Sequence, residues 1–143
     1  MFNPREEVVY RFRLAALYLR EAERAHERGD WRLVVASSQL SVENAAKSII
    51  AYFRVPSWSH DPSEELLDVS RMLPDDLKGL VEEIAQAAHE LAPEHGRSTY
   101  GEPLRGLTPW DIYSKSDAER ALSLARGCLE KARTVLRRLG IEV

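Results

Sequence analysis

The chain has 143 residues, a net charge of −3 and one cysteine, Cys128. That length suits one domain, expected over residues 1–143, that buries roughly 70% of its unfolded surface. A lone cysteine excludes an intramolecular disulfide and a cysteine-rich metal site, and the acidic balance excludes a global pull toward nucleic acid, so any such role must come from a local site.

Of the 20 basic residues only Lys47, Lys78, Lys115 and Lys131 are lysine. The arginine bias fits a GC-rich genome, a hot habitat or anion recognition, the first two being the cheaper explanations. No stretch approaches the roughly 18 apolar residues of a membrane span. The charges of Arg5, Glu6, Glu7, Arg11 and Arg13 interrupt what would be the core of a secretory signal. Cytoplasm is therefore the expected compartment, without membrane attachment.

A first helix is expected from Asn3 as N-cap with Pro4 at its first position, a place where the missing N–H of proline costs nothing. Val8, Phe12, Ala15, Leu19 and Ala22 recur at steps of three and four and form its apolar stripe. Gly29 ends it. Asp30 caps a second helix that runs to Phe53, and from Leu33 onward its only charged residues are Glu43 and Lys47. A helix so apolar on nearly every face belongs at the centre of a bundle or of a bundle plus a dimer partner.

The segment from Ser57 to Pro62 reads as a turn, with Asp61 capping a short third helix through Leu66, Leu67 and Val69. Pro74 opens a fourth helix whose stripe is Leu77, Leu80, Val81, Ile84, Ala88 and Leu91, and Pro93 closes it. From Ala92 to Lys115 no periodicity survives, which predicts a long loop of the functional or mobile kind. Ser116 and Glu119 offer a capping box for a last helix, with Ala118, Ala121, Leu122, Ala125, Cys128, Leu129, Ala132, Val135, Leu136 and Leu139 as its stripe. Gly140 stops it. The expected fold is all-α: an up-and-down antiparallel bundle of four main helices and one short one.

Glu43 and Lys47 stand four apart in the favourable order for an intrahelical pair. Buried ion pairs add little stability once desolvation is counted, so this one serves either as a structural bridge or as part of a cleft. His60 follows Trp58 in the turn and either faces a ligand or packs there. His89 and His95 are six apart, off a common helix face, and no carboxylate spacing completes a zinc site; neither metal nor cofactor is expected. Arg97, Tyr100, Glu102 and Arg105, with Thr108, Trp110 and Tyr113 nearby, either pin the loop to the bundle or offer the phosphate pairing and stacking that single-stranded RNA or a nucleotide needs. No glycine-rich phosphate loop, serine triad or paired-carboxylate signature is present.

The run Ala36-Ser37-Ser38-Gln39-Leu40-Ser41-Val42-Glu43-Asn44-Ala45-Ala46-Lys47 resembles the HEPN family's glutamate and lysine spaced by four in an alanine-rich helix. Ser59-His60-Asp61 before a leucine-rich helix, the Arg97 to Tyr100 segment, and Tyr113 before Asp117-Ala118-Glu119-Arg120-Ala121-Leu122 continue the resemblance over most of the chain. It implies a helical bundle, a homodimer, and a minimal nucleotidyltransferase as partner in a toxin–antitoxin pair. It also implies, for many members, a metal-independent ribonuclease using an arginine, four to six residues, then a histidine. No histidine follows Arg97 or Arg105. Arg20 to His26 and Arg54 to His60 show the spacing, and chance alone gives roughly one such hit in this composition. Arg54 and His60 are thus the candidate catalytic residues, and Glu43, Lys47, His60, Arg97 and Tyr100 the candidate cleft for a nucleotide, RNA or partner. The expected function is binding and dimerisation without a complete nuclease motif. The alternatives are an RNA endonuclease with an atypical site and a purely structural dimer.

Overall fold

A computed structural model describes residues 3–143. Seven helices follow in order: α1 (Pro4–Glu27), α2 (Trp31–Phe53), α3 (Ser63–Ser70), α4 (Asp75–Leu91), α5 (Glu94–Tyr100), α6 (Pro109–Ile112) and α7 (Lys115–Arg138), with a 3₁₀ turn at Pro103–Arg105. Apart from an isolated pairing of Glu102 with Leu107, the described residues contain no β-structure.

The four long helices run up, down, up, down, as the apolar stripes predicted. Arg11 reaches Asn44 and the Ser41 hydroxyl donates to the Ala15 carbonyl, so α1 and α2 are antiparallel. Arg120 pairs with Glu90, Lys131 with Glu83 and Arg138 with Asp76, which sets α4 antiparallel to α7. His26 against Glu119 and Glu23 against Arg126 do the same for α1 and α7. These surface pairs fix register more than they stabilise.

The α1 stripe is buried where expected, and Asn3 Oδ1 accepts from the Glu6 amide as its cap. Asp30 caps α2 through the Leu33 amide at 3.2 Å. From Ser41 to Ala51 every residue of α2 is buried, with α1, α3, α4, α5 and α7 against it. Ile49 and Ile50 are fully enclosed; burying each is worth about 1.5–3 kcal/mol. Cys128 is buried on α7, where desolvation pushes its thiol pKa up to about 11.

Three expectations needed correction. The segment after Leu91 is not a structureless loop: Pro93 caps α5, and α6 follows from Pro109. Seven and four residues are too short to show an amphipathic period. The capping box of α7 is Ser114 with Asp117, two residues earlier than Ser116 with Glu119. Both quartets satisfy the spacing, and the extended backbone of Ser114 decides between them. The third and fourth helices likewise start one residue later than read, with Pro62 and Pro74 as N-caps rather than first residues. No helix among the described residues is long and apolar enough to cross a membrane.

Candidate functional site

Glu43 lies in the buried middle of α2, and three side chains converge on its carboxylate. Lys47 Nζ donates to Oε2 at 3.1 Å; Gln39 Nε2 donates to Oε1 at 3.1 Å; His60 Nδ1 meets Oε1 at 3.0 Å. Gln39, Glu43 and Lys47 share one helix face because they are four apart. The Glu43 and Lys47 side chains are 7% and 4% exposed, so the charges need these extra bonds to offset their lost hydration.

His60 is brought in by a tightly tied turn. The Asp61 amide donates to Ser59 Oγ, the Ser63 amide to Asp61 Oδ1, and the Ser57 amide to Glu65 Oε1. Asp61 Oδ2 then meets His89 Nδ1 at 2.8 Å, fastening the turn to α4. Burial would raise the Asp61 pKa, but the hydrogen bonds from Ser63 and His89 outweigh it and hold the carboxyl below its ordinary range.

His95, on the first turn of α5, completes the group. Its ring stacks on that of His60 with centroids 3.5 Å apart and 18° between planes, and its Nδ1 meets Gln39 Oε1 at 3.2 Å. Proton positions follow by elimination. The ionised Glu43 carboxylate only accepts, so Gln39 turns its amide nitrogen to Glu43 and its oxygen to His95. Each imidazole therefore carries hydrogen on Nδ1, leaving the Nε2 of a neutral ring as an acceptor. Burial, then the neighbouring His60, lowers the His95 pKa below its ordinary value. His95 is thus held as a neutral acceptor.

Among the described residues, Glu43, His60 and His95 form the one trio of donor atoms close enough to address a common cation. Sequence spacing had sought ligands within one helix, and the fold assembles these from three elements. The Nδ1 atoms of both rings are, however, already engaged, that of His60 by Glu43 and that of His95 by Gln39. Lys47 already balances the carboxylate. The arrangement is a hydrogen-bonded network joining α2, the 57–62 turn and α5.

The other expected cleft residues fall elsewhere. Arg97 is clamped by Glu94 and by Glu102 at 2.6 Å, and its pKa is raised chiefly by Glu102. Tyr113 donates to Glu94, so Arg97 closes the 94–113 segment on itself, beside a cleft of about 200 Å³ that Val35, Glu90 and Arg120 also line. Tyr100 is 76% exposed. Arg54 pairs with Asp68 and the Glu65 carbonyl, tying the end of α2 to α3, and makes no hydrogen bond to His60. Sequence reasoning missed Gln39, visible one turn before Glu43, and His95, for which only the tertiary fold supplies the signal.

An HEPN domain family model matches residues 8–135. The chain belongs to the HEPN family. No curated protein and no solved structure matches it. Within this HEPN chain, the residues that carried the resemblance separate into two groups: Glu43, Lys47 and His60 in the network, and Arg97, Tyr100 and Tyr113 around the α5–α6 segment.

Proposed function

We propose that this HEPN module dimerises and binds a nucleotide or the phosphate–ribose backbone of single-stranded RNA at the Gln39–Glu43–His60–His95 network, as the binding component of a pair with a minimal nucleotidyltransferase. The observation that carries the ligand reading is the stacked imidazole pair, each ring held through Nδ1 and His95 kept a neutral acceptor. A neutral imidazole whose Nδ1 is engaged accepts through its other nitrogen, which suits a ribose hydroxyl of a nucleotide. The exposed Tyr100 and Trp110, with Arg32 over the Trp110 ring at 5.1 Å, offer a stacking surface for bases or for the partner.

The endonuclease reading is less well supported by the same geometry. In-line displacement at phosphorus places the attacking and leaving oxygens on opposite sides, so a general acid and base must flank the phosphate. Rings in face-to-face contact cannot do so. Arg54 is bonded to Asp68 and His60 to Glu43, not to each other.

Fluorescence anisotropy with a labelled single-stranded oligoribonucleotide and with unlabelled mononucleotides as competitors, all in chelator, tests the reading. Saturable binding weakened about tenfold or more by His95→Ala and by Gln39→Ala is expected, a loss of at least about 1.4 kcal/mol. Binding that survives both substitutions, or no binding, rejects the site. Cleavage of the oligonucleotide in chelator restores the nuclease reading.

A further inference from the structure

α1 carries two apolar stripes and the bundle covers one. Val8, Phe12, Ala15, Leu19 and Ala22 face the core. About 200° around the helix, Tyr10, Leu14 and Leu17 form a second stripe, with Tyr10 57% and Leu17 49% exposed; together with Arg13 they line a surface hollow of about 180 Å³. The stripe continues in steps of four and three through Glu21, Arg24 and Arg28, and backward through Glu7 to Asn3. That 3.5-residue repeat is the period of a helix seam that faces another helix.

The charges along the seam are unevenly distributed. Glu6 and Glu7 precede the apolar centre, and Arg24 and Arg28 follow it. Glu6, Glu21, Arg24 and Arg28 are exposed and make no ion pair among the described residues, whereas Glu7, Glu23 and His26 are engaged by Arg11, Arg126 and Glu119. We infer that the occupant of this face is α1 of a second copy of the chain, lying antiparallel about a two-fold axis between Leu14 and Leu17. The inference rests on the dimer part of the proposed function and adds the surface.

The register is self-complementary. In a two-fold antiparallel pair a residue lies at the level of the one whose number brings the total to about 31. Leu14 then meets the other copy's Leu17, Tyr10 its Glu21, Glu6 its Arg24 and Asn3 its Arg28. Glu6 against Arg24 is the attractive charge encounter and Arg13 beside the other copy's Arg20 the repulsive one, while the positive end of each helix dipole lies beside the negative end of its mate. A parallel pair sets Glu6 against Glu6 and Arg24 against Arg24. An interface of one helix pair is smaller than the standard size, so dissociation on the order of micromolar is expected.

Sedimentation equilibrium over a concentration series, on wild type, Leu17→Glu, Arg24→Glu and the double variant Glu6→Arg/Arg24→Glu, tests the inference. The expected result is a dimer whose dissociation constant rises about tenfold or more in each single variant and returns toward wild type in the double. Both leucine and arginine sites are exposed, so unchanged thermal melting of all four proteins confirms the fold. A dimer indifferent to the single substitutions overturns this face and leaves dimerisation standing. A wild-type monomer at every concentration overturns both.

Discussion

His60 lies face to face with His95, 35 residues further along the chain, and Glu43 reaches both, one directly and one through Gln39. The lowered His95 pKa makes a prediction about pH. In the unfolded chain a histidine takes up its proton near 6.5; in the fold His95 resists until lower pH. Between those two values the unfolded state binds more protons, so stability falls as pH is lowered from 6.5 and the loss is complete at the folded pKa. Urea midpoints at pH 7.5 and 5.5 should show the decrease, and His95→Gln should shrink it. A ¹⁵N NMR titration should find the His95 ring titrating below 6.5 and protonated on Nδ1 when neutral.

The Glu43–Lys47 pair makes an asymmetric prediction. Lys47→Met leaves a buried carboxylate with two of its three partners and should cost about 3–5 kcal/mol. Glu43→Gln combined with Lys47→Met removes both charges and should recover much of that loss. Equal destabilisation of the single and double variants in urea denaturation would show that packing, not charge, dominates.

Tyr113 should be silent in a phenol titration. Desolvation, reinforced by its hydrogen bond to Glu94, raises its pKa well above the ordinary value. Of five tyrosines, this one should ionise only when the protein unfolds, and stability should fall as pH rises above about 10. Tyr113→Phe removes a bond to a charged acceptor and should cost about 1.5–3 kcal/mol.

Gly101 and Gly140 separate two reasons for glycine. At φ 72° and ψ −147° Gly101 occupies a region closed to other residues, and a Cβ there would run into the Leu107 carbonyl. Gly140 is at φ 84° with open space around it. Gly140→Ala should cost about 1–2 kcal/mol; Gly101→Ala should cost more and displace the Glu102–Leu107 turn, visible as loss of amide protection at Glu102.

What the sequence revealed follows from the range of the interactions involved. The long helices repeat one pattern over many turns, and the caps at Asn3 and Asp30 are local, so these were legible. Glu43 and Lys47 were conspicuous as the only charges in an apolar run. The segment after Leu91 was misread because α5 is too short to show a period and begins at a proline. His95 was overlooked because its role depends on a turn around His60 and an amide from Gln39, none of them near it in sequence. Arg97 looked available for a ligand until folding brought Glu94 and Glu102 to either side of it.

The enclosure of Cys128 turns an inert residue into a clock. Thiol reagents act on the exposed thiolate, and the single thiol, buried on α7 with its pKa raised, offers none until the bundle opens. The rate at which native protein consumes such a reagent therefore counts openings of the core one molecule at a time. Occupancy of the Glu43 network by a ligand becomes measurable as a slowing of that count, with no label attached to protein or ligand.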